Sequence, residues 1–258
     1  MHDFIFGIYP YIALAVLLIG SVARYERDPF TWKSSSSQLL RRRQLILGSI
    51  LFHAGVLTIF VGHFFGLLTP LWLLEALHIP HEAKQIIAMA VGGIAGVMAL
   101  AGGLILLHRR TADPRIRATS NPMDTAILAI LDLQLMLGLS TIFVSARHID
   151  GSEMVKFMEW AQGIFTLDPN AASYTAGASA IFQAHVFLGL TIFVLFPFSR
   201  LVHIVSGFAA PLRYVLTRTG LQIVRTRRRA ALPTHAGPAR RPHAAPVPAA
   251  RPITKPAE

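Results

Sequence analysis

A chain of 258 residues that is 53% hydrophobic and only 14% charged, with its apolar residues gathered into long blocks, reads as a polytopic membrane protein. The absence of Cys excludes disulfides, thiolate-bound iron–sulfur clusters and thioether-attached haem, so any redox chemistry must use a cofactor held by His or without covalent bonds. A formal net charge of +11 does not point to nucleic acid, because the basic residues sit at the ends of apolar blocks and in the C-terminal stretch, where membrane topology accounts for them.

Five stretches reach spanning length, given that about 20 apolar residues cross the hydrocarbon core. They are 4–23, 45–69, 85–107, 123–145 and 179–205. The first opens Met-His-Asp, with no basic leader and no small-residue cleavage site before Arg24, and is read as a retained helix rather than a signal peptide. Between the first two spans lie Arg24, Arg27, Lys33 and Arg41 to Arg43, with SSSS at 34–37 as plain loop. The third span carries Gly92, Gly96, Ala95, Ala99 and Gly103 at four-residue spacing, a pattern that brings helices close together and reads as packing. Arg109, Arg110, Arg115 and Arg117 follow it, and Arg213, Arg218, Arg225 and Arg227 to Arg229 follow the fifth span. By the positive-inside rule these three segments are cytoplasmic, which puts the N-terminus outside and the C-terminus inside.

The connections 70–84 and 146–178 hold few basic residues and face outward. In the second, DGSEMVKFMEWAQGIF offers Asp and Ser as helix caps and Met154, Phe157, Met158 and Trp160 as an apolar face, which predicts a short interfacial helix. The fold expected is therefore an all-α bundle of five transmembrane helices over 1–229, followed by a Pro/Ala/Arg-rich tail, 230–258, with no apolar periodicity and the composition of a disordered cytoplasmic segment.

Four histidines fall inside spans: His53 and His63 in the second, His185 and His203 in the fifth. These two spans run in opposite directions, so His53 lies level with His203 on the cytoplasmic side and His63 with His185 on the outer side. At about 100° per residue, His185 and His203 project from one helix face and His53 and His63 from one broad side. The rises agree less well, at about 15 Å for the first pair of positions and 27 Å for the second, and tilt, rotamers or a bend at Pro197 must absorb the difference. Two imidazoles facing each other across a helix pair are the axial ligands of a b-type haem, and two such pairs make an electron path with no open coordination position. Zinc is the competing metal, but it takes four converging ligands and these are spread over two depths. A rival from another class is a haem-free scaffold or transporter whose histidines line a polar path.

IYPYIA at 8–13, SILFHAGVLTIFVGHFFGLLTP at 49–70, PRIRAT at 114–119, HIDGSEM at 148–154 and LFPFSRLVHI at 195–204 make residues 5–225 resemble the gamma subunit, or membrane cytochrome b subunit, of respiratory nitrate reductase. The resemblance implies two haem b groups in a bacterial cytoplasmic (inner) membrane protein, the proximal one held by His53 and His203 and the distal one by His63 and His185. It also implies oxidation of a membrane quinol, menaquinol or ubiquinol, beside the distal haem, with protons released outside. The implied partners are an iron–sulfur beta subunit and a molybdenum-containing alpha subunit where nitrate becomes nitrite. Lys84 matches the family's quinol-site lysine, and His63 with Gly62 lies beside it; on composition alone Lys84 is a snorkelling anchor and Gly62 a packing residue. The same residues would serve a cytochrome b anchor of another molybdenum enzyme, a hydrogenase or a sulfur-metabolising reductase. Asp132, midway through the fourth span, departs from the family's apolar pattern and reads equally as polar lining or as a carboxyl bonded to a neighbouring helix. Arg115 and Arg117 read equally as topology signals and as partners for propionates or the beta subunit.

Overall fold

The computed structural model describes residues 1–27 and 40–205. The loop with Lys33 and SSSS, the basic residues from Arg213 onward and the tail 230–258 lie outside the described residues. The described part belongs to one compact unit, Met1–Phe208, and is helical, with no strand among the described residues. A π-helical turn, Phe4–Ile8, leads into α1 (Tyr9–Arg27). Then follow α2 (Arg42–Leu68), α3 (Leu71–Ala76), α4 (His81–Ala112), α5 (Pro114–Thr119), α6 (Pro122–Ser145), α7 (Ser152–Thr166), α8 (Ala171–Tyr174) and α9 (Ala180–Leu195).

Five helices are long and apolar enough to cross a membrane, and each overlaps one of the five expected spans, the fifth ending at Phe198. Large apolar side chains cover their outer surface: Ile19, Ile94 and Phe143 are 69%, 68% and 75% exposed, an arrangement that suits lipid and not water. Their ends follow the local chemistry. Asn121 accepts from the Met123 amide ahead of Pro122 to start α6, and Asp113 accepts from the amides of Arg115 and Ile116 to start α5. Asp113 also pairs with Arg41, and although its partial burial acts to raise its pKa, those hydrogen bonds together hold the carboxyl below its ordinary range.

Packing runs α2 to α4, α4 to α6, α6 to α9 and α9 to α1, with no extensive contact between α2 and α9. The α2–α4 crossing is tightest. A Cβ on Gly55 would stand 2.6 Å from the Ala99 amide nitrogen, and one on Gly102 would run into the Phe52 amide and Gly48 carbonyl, so small residues here allow backbone to meet backbone. The four-residue glycine pattern expected as packing is therefore partly that: Gly96 meets Leu139 and Gly103 meets Asp132, but Gly92 faces open space.

The expected helix at 152–166 forms, and it folds over the ends of the bundle. Phe157, Met158 and Trp160 are buried, Trp160 Nε1 donates to Phe6 O at 2.8 Å, and Gln162 Nε2 donates to the carbonyls of Leu67 and Thr69 at 3.1 and 3.0 Å, closing the C-terminus of α2. Gln85 does the same for α6, donating to Ser145 O and His148 O at 2.9 and 2.6 Å. Gly151 in HIDGSEM has φ +83°, and a side chain there would collide with His81, so only glycine fits this turn.

One expectation is corrected. The fifth span is not a continuous helix over 179–205: α9 stops at Leu195, two 3₁₀ turns follow at Phe196–Phe198 and Arg200–Val202, and Ser199 between them is extended. The argument that His185 and His203 share a helix face through five regular turns therefore does not apply. Pro197 cannot donate to the helix ladder, and the carbonyls freed at the break are taken by another helix. Arg24 of α1 donates to Pro197 O and Ser199 O, both at 2.7 Å, while Gly20 one turn earlier leaves room for the Pro197 ring.

Candidate functional site between α2 and α9

Because α2 and α9 stand apart, side chains reach across the space between them. His53 faces His203 with ring centroids 6.1 Å apart, and His63 faces His185 at the same 6.1 Å. The first pair lies toward the end of the bundle that carries α5, the second toward the end that carries α7. Both pairings expected from depth are present in the structure.

The rings are held in a shared manner. His53 Nδ1 donates to Ser49 O at 2.8 Å, His63 Nδ1 to Ile59 O at 2.9 Å and His203 Nδ1 to Arg200 O at 2.6 Å. A carbonyl only accepts, so in each ring Nδ1 carries the hydrogen and Nε2 keeps its lone pair for a metal. His185 is seated differently. It packs on Gly138 of α6, where a Cβ would lie 2.9 Å from its Cε1, and its Nδ1 is buried without a partner among the described residues.

This donor set can be tested against a bis-imidazole iron. A metal–nitrogen bond of about 2 Å and about 1.2 Å from nitrogen to ring centre put the centroids of two imidazoles on opposite sides of one metal about 6.4 Å apart, a few tenths of an ångström from the 6.1 Å found. Both pairs meet that spacing, and the open space between α2 and α9 adjoins both. Among the described residues no three His, Cys, Asp or Glu side chains converge, so the donors come in twos. Two facing donors suit a haem iron, whose other four positions the porphyrin fills.

Lys84, in the first turn of α4, is half-buried beside the second pair. Its Nζ donates to Gly66 O at 2.8 Å, three residues beyond His63, and lies 3.2 Å from Met158 Sδ of α7. Side chains at Gly62 and Gly66 would meet nothing within 4 Å, so the surface beside His63 and Lys84 is open at both glycines.

The family model for the nitrate reductase gamma subunit matches residues 2–227. The chain belongs to that family. It is 52% identical over 227 residues to the respiratory nitrate reductase 1 gamma chain of Escherichia coli strain K12, covering 88% of this chain and 98% of that one. The respiratory nitrate reductase 2 gamma chain of the same organism is 48% identical over 228 residues, with the same shares covered. The nitrate reductase gamma chain of Bacillus subtilis strain 168 is 35% identical over 215 residues, 83% of this chain and 94% of that one. With its five apolar spans, this gamma subunit is a membrane protein.

Other residues singled out in the sequence lie elsewhere. Asp132 is buried against Gly103 of α4, and neither carboxyl oxygen has a hydrogen-bond partner among the described residues, so the structure shows no bond to a neighbouring helix. Arg115 and Arg117 are exposed on α5. Sequence reasoning took Arg24 for a topology signal and passed over Gly138 and Gln134, which touch the histidines or the break before His203. The only available signal for Arg24 was its spacing of one turn from Gly20.

Proposed function

We propose that this gamma subunit is the dihaem b, quinol-oxidising membrane subunit of a respiratory nitrate reductase in the bacterial cytoplasmic membrane. The reading is carried by one observation: two imidazole pairs, each at a bis-imidazole spacing, stacked at two depths between facing helices. His53 and His203 hold the proximal group, His63 and His185 the distal one. Haem b held there would supply one-electron transfer between quinol and the soluble subunits.

The α7 end faces outward, since basic residues concentrate at the α5 end. There Lys84 has three donors, of which Gly66 O and Met158 Sδ take two, leaving one for a quinol oxygen. The open surface at Gly62 and Gly66 admits the quinol ring next to His63, its isoprenoid tail stays in lipid, and its two protons leave on the outer side. Electrons move inward to an iron–sulfur beta subunit and a molybdenum-containing alpha subunit, which reduces nitrate; the relatives' names support that assembly.

Lys84→Ala tests the site. Its expected result is normal haem content with quinol oxidation slowed about tenfold or more, the equivalent of about 1.4 kcal/mol in the barrier. Quinol-driven reduction of the b-type absorption in membranes measures it, and an unchanged rate contradicts the placement.

A further inference from the structure

Three of the four paired histidines donate Nδ1 to a carbonyl three or four residues earlier in the chain, and His185 does not. What touches its ring is Gln134 of α6. The Gln134 amide nitrogen donates to His185 O at 3.0 Å and lies 3.4 Å from the His185 ring Nε2, while its oxygen is buried with no partner among the described residues. The fit is reciprocal. His185 sits over Gly138, one turn beyond Gln134, and Gln134 sits over Gly189, one turn beyond His185, where a Cβ would stand 3.3 Å from the amide nitrogen. Two glycines therefore make room for this one contact between α6 and α9.

The two partnerless groups are complementary: the ring has one N–H without an acceptor, and the amide has one oxygen without a donor. Burying both unpaired is costly, and a turn of the imidazole about its Cβ–Cγ bond exchanges the ring edge that faces Gln134. We infer that Gln134 is the positioning residue of His185, its nitrogen holding the α9 backbone and its oxygen accepting the N–H that ligation leaves over. This rests on the two-haem reading. A hydrogen bond to the outer nitrogen of a ligating imidazole makes the ring a stronger donor, which favours the oxidised metal. Gln134 thus tunes the distal group alone, because the proximal pair has carbonyl acceptors on both sides.

Redox titration of the b-type absorption in membranes holding the whole complex reads this. Gln134→Met, of similar length with no acceptor, shifts the distal reduction equilibrium about tenfold toward the reduced form, equal to about 59 mV for one electron. Gln134→Glu, which keeps an acceptor oxygen, brings it back to the wild-type value or below, and the proximal potential stays fixed in both. An unmoved distal potential in Gln134→Met, or shifts of the same sign and size in both variants, overturns the assignment. Membranes with no b-type absorption at all contradict the two-haem reading instead.

Discussion

If the proposed two-haem reading holds, His63→Ala is expected to lower the haem b content from two per chain to one and to abolish quinol-driven electron delivery. The side chain is exposed toward the space between α2 and α9, and its removal takes away one internal hydrogen bond, to Ile59 O, but no core packing. The helix therefore persists, and the loss falls on the site. With one imidazole gone, His185 would be left as the single donor at this depth, and a distal haem held by the His63–His185 pair would be lost. The open surface at Gly62 and Lys84 then adjoins no electron acceptor. Nitrate reduction from an artificial donor that reaches the soluble subunits directly remains, because nothing on the α5 end has changed. Haem content and quinol oxidation measured side by side on isolated membranes give the result, and a variant that keeps two haems or the normal rate contradicts it.

Gly102→Val is expected to have the largest effect on the fold. Its Cβ would run into the Phe52 amide and reach within 2.7 Å of Gly48 O, and these are backbone atoms that no rotamer change can move aside. Overpacked cores typically lose 1–3 kcal/mol, and a clash with backbone on both sides belongs at about the top of that range or beyond. The shift would separate α2 from α4 and carry His53, one residue from Phe52, away from His203. Gly92→Ala is the matched control. It lies in the same helix facing open space, and an alanine there gains roughly 0.5–1 kcal/mol of helix propensity. Thermal unfolding of both variants in detergent separates them; equal midpoints contradict the account of the α2–α4 crossing.

The spans and the histidine pairs were legible because both follow from one-dimensional signals. Apolar length marks a membrane helix, and in antiparallel helices residue order converts directly into depth, so His53 with His203 and His63 with His185 needed no knowledge of packing. The helix at 152–166 showed itself through its apolar face. The broken end of the fifth span was only half legible. Pro197 marked a bend, but the extended Ser199 and the 3₁₀ turns depend on Arg24 and Gly20, which come from a helix 173 residues away by the spacing of Arg24 and Pro197. Gln134 and Gly138 were hidden for the same reason. A glutamine or glycine within an apolar span has no local signature of its partner, and only the arrangement of α6 beside α9 brings them to His185.

The central claim is that each imidazole pair holds one haem b. The most direct measurement is the haem content of the purified complex per gamma chain, by pyridine haemochrome spectrum together with the electron paramagnetic resonance of the oxidised sample. Two haem b per chain, giving two distinct low-spin signals, is the result expected from two bis-imidazole sites with differently seated rings. One haem or none per chain, or high-spin iron at either site, would contradict it.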